Sequence, residues 1–133
     1  MLCFGGVALS LLSACTPTYY ANTSVSGNVI CVKKTEFIEE KDGKKKERKF
    51  VIVRTEKTQF PICVYKLNEN TYSALLMECT HKSCELNPHG DYLICPCHGS
   101  EFNNAGVVQN PPAENNLITY KIEQDHENIF IYL

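Results

Sequence analysis

The chain has 133 residues, enough for one domain with a modest core. Lys and Arg total 13 against 15 Asp and Glu, and that near balance provides no basic field of the kind that nucleic-acid binding requires. Eight cysteines are many for this length, because a reducing compartment keeps so many thiols only where metal or catalysis uses them.

The amino terminus bears on the compartment. No Asp, Glu, Lys or Arg precedes Lys33, and residues 2–14 are mostly apolar or small. Such a segment is shorter than the roughly 20 residues that span a bilayer, so it reads as the apolar part of a secretory signal, with an apolar tail as the alternative. Leu12-Ser13-Ala14-Cys15 resembles the lipobox of bacterial lipoproteins, in which the signal is cut before a cysteine that then carries the lipid. Residues 1–15 are therefore expected to be a signal, Cys3 leaving with it, and Cys15 the lipidated residue that anchors the protein to a membrane on the extracytoplasmic side. Met1-Leu2-Cys3-Phe4 lacks the Lys or Arg with which signals open, so a start further upstream stays an alternative.

Residues 16–28, TPTYYANTSVSGN, are polar, small and broken by Pro17 and Gly27, which predicts a flexible tether. Tyr19 and Tyr20 within it are either interfacial anchors or incidental.

Short strands follow. Two are expected at 29–38 and 50–54, on either side of a charged stretch with Asp42-Gly43 near its tip, a hairpin signal. Glu39-Glu40 before the tip and Lys44-Lys45-Lys46 after it allow cross-strand pairing, and the run reads as a solvated hairpin, with docking by the lysines as the alternative. Further strands are predicted at 62–67, 72–77, 92–95, 117–122 and 129–133, separated by the turn-rich LNENT, NPHGD and QDHEN. With no amphipathic helix and no internal repeat, the pattern indicates an all-β fold, an antiparallel sandwich or barrel over residues 29–133.

Two loops carry the chemistry. CTHKSC (79–84) follows one strand and CPCHGS (95–100) another, so Cys79, His81, Cys95 and His98 are each placed just beyond a strand end, where two hairpin tips can converge. Zinc would accept these four donors, but its common structural spacing groups the cysteines together and the histidines together. Here they alternate, which suits a 2Fe-2S cluster with both cysteines on one iron and both histidines on the other. Both sites stay open on spacing alone.

The two motifs resemble the signature of the Rieske family, C-T-H-x-x-C followed by C-P-C-H-G-S, at every defined position. The resemblance implies one Rieske-type 2Fe-2S cluster bound by Cys79 and Cys95 on one iron and by His81 and His98 on the other, within a small cluster-binding subdomain of about residues 78–103. It implies a disulfide between Cys84 and Cys97 that ties the loops together. By the same resemblance Ser100 donates to a bridging sulfide, and Asn110-Pro111-Pro112-Ala113 is a proline loop covering the cluster. Two features depart from those of the quinol-oxidising members: Phe102 replaces a tyrosine whose hydroxyl donates to a ligand sulfur, and Lys82-Ser83 replaces Leu-Gly.

The expected function is one-electron transfer, as redox subunit or shuttle of a membrane-associated or extracytoplasmic oxidoreductase, with no catalysis by this chain alone. Its partner would be a cytochrome, a quinol-oxidising complex or another oxidoreductase subunit. The alternatives are a zinc-stabilised interaction module and a Rieske ferredoxin serving an oxygenase. His89 and His126 fall in polar turns and are expected at the surface. Cys31 and Cys63 sit in apolar strands as small hydrophobes, or as a pair if their strands are adjacent.

Overall fold

A computed structural model describes residues 18–133. The expected signal, Cys3 and the lipobox cysteine Cys15 lie outside the described residues. The rest is all-β, with one short 3-10 turn at Lys34–Phe37. In chain order the strands are β1 (Thr23–Ser26), β2 (Val29–Lys33), β3 (Ile38–Lys41), β4 (Lys44–Glu47), β5 (Phe50–Val53), β6 (Ile62–Asn68), β7 (Thr71–Leu76), β8 (Asn87–His89), β9 (Tyr92–Ile94), β10 (Glu101–Asn103), β11 (Val108–Asn110), β12 (Lys121–Gln124) and β13 (Asn128–Tyr132). They form antiparallel sheets in the orders β1-β2-β13-β12, β5-β6-β7 and β11-β10-β9-β8, with β3-β4 as a separate two-stranded hairpin.

The β5-β6-β7 sheet is the middle layer. Because strand side chains alternate, Val51, Val53, Ile62, Val64, Ala74 and Leu76 face one way and pack against Ile30 and Val32 of β2 and Ile129 and Ile131 of β13. Ile52, Cys63, Tyr65 and Leu75 face the other way and join Met77, Leu86, Leu93, Phe102 and Leu117 in a second core. Burial on both faces explains why FVIV and ICVY are continuous apolar runs instead of alternating ones. Tyr65 bridges the layers through its hydroxyl, which donates to the Tyr92 carbonyl at 3.1 Å.

Several expectations change. The tether predicted at 16–28 is not observed over its described part: Tyr20 pairs with Ile52, and Thr23–Ser26 pairs with Val29–Val32 as an edge strand. That strand is largely exposed and so carries no apolar alternation for the sequence to reveal. Tyr19 is held in the fold, its hydroxyl donating to Glu36 at 2.9 Å and its ring lying 3.8 Å beneath the Arg48 guanidinium.

The strand expected at 29–38 stops at Lys33, and its neighbours are β1 and β13; β5 pairs with β6. The hairpin is the charged stretch itself, Glu39 opposite Lys46 and Glu40 opposite Lys45, turning at Asp42 and Gly43, whose φ values of 53° and 72° suit a two-residue turn. Asn87–His89, predicted as turn, is strand β8. The strand expected at 117–122 begins only at Lys121, although Thr119 bridges to Leu75. Cys31 and Cys63 do not pair with each other and are free among the described residues, Cys31 on β2 opposite Phe130 and Cys63 buried in the second core, where burial pushes its thiol up.

Candidate metal centre

Met77, just past β7, is still tied to the fold: its N–H donates to the Pro61 carbonyl, and its carbonyl accepts from Leu86. The residues between form the first loop. Cys79 N–H donates to the Cys84 carbonyl at 2.8 Å and Ser83 N–H to the Cys79 carbonyl at 2.9 Å. Between β9 and β10 the second loop repeats the arrangement, Cys95 N–H to the Ser100 carbonyl at 2.8 Å and Gly99 N–H to the Cys95 carbonyl at 3.0 Å. Each loop is thus closed by the same two backbone bonds around a cysteine.

The structure brings the expected donors together as two like pairs, Cys79 with Cys95 and His81 with His98. Cys79 and Cys95 are buried, 2% and 1% exposed. Burial pushes the Cys95 thiol up and its hydrogen bond with Cys79 pushes the same way, while the N–H groups of Cys97 and His98 pull it down. A thiolate in so dry a place calls for a cation beside it. The His81 and His98 rings stand edge to face with centroids 4.9 Å apart. His81 Nδ1 is buried with no hydrogen-bond partner among the described residues, the state expected of a ring nitrogen that serves a metal. Two facing thiols, two facing imidazoles and one orphaned nitrogen fit a cluster held by two cysteines and two histidines.

Cys84 and Cys97 are joined by a disulfide, their Cα atoms 6.5 Å apart, so the two loops are covalently linked. The sulfurs of Cys84, Cys95 and Cys97 lie within 4.8 Å of one another, but two of these belong to the disulfide, leaving Cys95 as the one thiol of the three free to ligate. Ser100 is fully buried, and its Oγ accepts a 3.0 Å bond from Ala113 N–H, joining the second loop to the proline segment and keeping the hydroxyl proton for another acceptor. Phe102 is also fully buried, in the same cluster of side chains as Cys79 and Cys95.

Sequence reasoning missed Thr80. Its hydroxyl donates to the Asn115 carbonyl at 2.7 Å, so the proline segment is tied to both loops, through Thr80 and through Ser100. The only trace of this in the sequence is the threonine within CTH. His89 and His126 are exposed and apart from the site, His89 stacking on Tyr92.

A family model for the Rieske [2Fe-2S] domain matches residues 28–121. The chain is 36% identical over 55 residues to the cytochrome b6-f complex iron-sulfur subunit of Prochlorococcus marinus strain MIT 9303, covering 40% of this chain and 31% of that one. It therefore spans about a third of that relative's length. Among solved structures, the plasma membrane Rieske protein PetC3 from the cyanobacterium Synechocystis PCC 6803 is similar with a TM-score of 0.57 and 32% identity, covering 64% of this chain and 87% of that one. The Sphingomonas yanoikuyae B1 ferredoxin matches with a TM-score of 0.50 and 25% identity, over 64% of this chain and 85% of that one. The family match covers well over half the chain and includes both loops, and the protein belongs to the Rieske [2Fe-2S] domain family.

Proposed function

We propose that this protein transfers single electrons as the redox subunit or shuttle of a membrane-associated oxidoreductase, with Cys79 and Cys95 holding one iron and His81 and His98 the other. The observation that carries this is the convergence of two buried thiols and two facing imidazoles in loops of matching backbone geometry. The group supplies a one-electron couple, at about −150 to +300 mV for clusters of this ligation. This chain's residues exclude water from the sulfur side, through Leu86, Leu93 and Phe102, and leave His98 exposed toward a partner.

The partner is a one-electron redox protein, a cytochrome or a quinol-oxidising complex, a reading supported by the relative named as a cytochrome b6-f subunit. The Cys84–Cys97 disulfide supports an oxidising compartment outside the cytoplasm, and Cys15 is the residue that would carry a lipid anchor there. Similarity to a ferredoxin supports a second reading, an oxygenase electron donor, but ferredoxins of that kind generally lack the disulfide cysteines and a signal.

Low-temperature electron paramagnetic resonance of the natively loaded protein after dithionite reduction tests the assignment. A rhombic signal from a reduced cluster of mixed Cys and His ligation is expected. A silent sample with one zinc per chain would replace electron transfer with a structural or binding role. Mass measurement of the membrane-extracted protein tests for lipid on Cys15.

A further inference from the structure

We propose that the β3–β4 hairpin is a membrane contact: Lys41, Lys44 and Lys46 rest on anionic phospholipid headgroups and hold the domain with its two histidines turned away from the bilayer. The idea deepens the anchored reading above, since a lipid on Cys15 would bring the domain to the surface on which the hairpin acts.

The register sorts the charges. Residues directly opposite in an antiparallel pair share a face, so Glu40 and Lys45 lie on one side with Glu47, and Lys41, Lys44, Lys46 and Glu39 on the other. The first side is neutralised locally: Lys45 Nζ lies 3.4 Å from Glu40, and Lys66 Nζ lies 2.8 Å from Glu47. On the second side Lys41, Lys44 and Lys46 have no ion-pair partner among the described residues. Every residue of β4 is exposed, and among the described residues no third strand pairs with the hairpin.

The chain enters beside this hairpin and far from the cluster loops. Tyr20 pairs in parallel with Ile52, so the residues before it lie toward Phe50. At the opposite end of the same sheet Val53 pairs with Ile62 and Ile62 with Leu76, from which the chain runs on to Cys79. Tyr19 is gripped by the root of the hairpin: Glu36 accepts from its hydroxyl, and Arg48 covers its ring while donating to the carbonyls of Glu36 and Ile38 at 3.1 and 3.0 Å. A membrane tether reaching Thr18 therefore delivers the hairpin end first.

Charge is divided accordingly. Residues 33–49 hold eight Lys or Arg against five Asp or Glu. Between residues 76 and 119 Lys82 is the one lysine or arginine, against Glu78, Glu85, Glu101 and Glu114 besides Asp91, which Lys49 pairs. An anionic surface attracts the first end and repels the second.

The test is sedimentation of the loaded full chain with phosphatidylcholine vesicles that contain or lack phosphatidylglycerol, at low and high salt. Each lysine at an anionic surface adds about fivefold to partition, so Lys41→Gln, Lys44→Gln and Lys46→Gln together are expected to weaken binding to the anionic vesicles at least about tenfold. Partition onto pure phosphatidylcholine stays the same, high salt removes the difference, and visible absorption of the cluster confirms that the variant is folded. Equal partition of the unsubstituted protein onto both vesicles overturns the proposal, leaving the lysines to solvent or to an acidic protein; so does an undiminished anionic preference in the triple variant. Cys15→Ser lowers partition onto both vesicles alike if the anchor exists, so the failure of either reading is told from that of the other.

Discussion

Ser83 and Gly99 occupy the same place in two copies of one loop. Each follows a cysteine by four residues, each donates its N–H back to that cysteine's carbonyl, and each has a left-handed backbone, with φ of 55° and 81°. The left-handed region costs a side-chain-bearing residue about 1–2 kcal/mol, offset in part by the greater freedom a glycine loses on folding. Ser83→Gly is expected to stabilise the protein by about 0.5–1 kcal/mol, read as a higher denaturation midpoint. Gly99→Ala is expected to destabilise it by a similar amount, about 0.5–1 kcal/mol; a Cβ there meets nothing within 4 Å, so the loss comes from the backbone and not from a clash. An unchanged midpoint in both variants would show that the equivalence is geometric only.

The Cys84–Cys97 disulfide closes a loop of sequence separation 13 and restrains the unfolded chain. Its removal in a Cys84→Ser, Cys97→Ser double variant is expected to cost about 2–4 kcal/mol. Because the bond links the two loops proposed to hold the cluster, bleaching of the cluster absorbance should also be faster in the double variant. Equal bleaching rates would place the disulfide's effect on the unfolded chain alone.

Ser100→Ala removes a buried acceptor and strands the Ala113 N–H, for a loss of about 1–3 kcal/mol. It also removes the hydroxyl proton. A reduced cluster is the more negative state and gains more from such a donor, so the midpoint potential should fall by about 40–60 mV, equivalent to about 1 kcal/mol for one electron. A potential that holds while stability falls would confine Ser100 to bracing the proline segment.

Phe102 is the matching case in reverse. Buried in one core with Cys79 and Cys95 but with nothing to donate, it would leave cluster-bound sulfurs there without a hydrogen bond from this side chain. Phe102→Tyr is expected to raise the potential by a similar 40–60 mV in a protein-film or dye-mediated titration. No rise would mean that the added hydroxyl finds another acceptor.

Much of the candidate site was legible because its proposed donors are clustered in sequence: Cys79 with His81, and Cys95 with His98, each pair in one short loop. The convergence of the loops depended on β8 and β9, and β8 was read as a turn because Asn87-Pro88-His89 has turn composition. Tertiary pairing with Tyr92–Ile94 overrides that local preference. The amino-terminal strand was hidden for a different reason: Thr23–Ser26 is an exposed edge, and an edge that packs little has no periodicity to read. The thread from Thr80 to Asn115 joins residues 35 apart through a side chain and a backbone carbonyl, a contact that leaves no sequence pattern.

The disulfide has one more consequence. With Cys84 and Cys97 joined, the backbone from one to the other, β8 and β9 included, becomes a covalent ring whose far rim is fastened by Tyr65 to Tyr92 and by Lys49 to Asp91. A ring fastened at both rims cannot swing open as a flap. Hydrogen exchange across it should therefore be all or none: the amides of Leu86 and Cys95, which lie within the ring, open together with the second core.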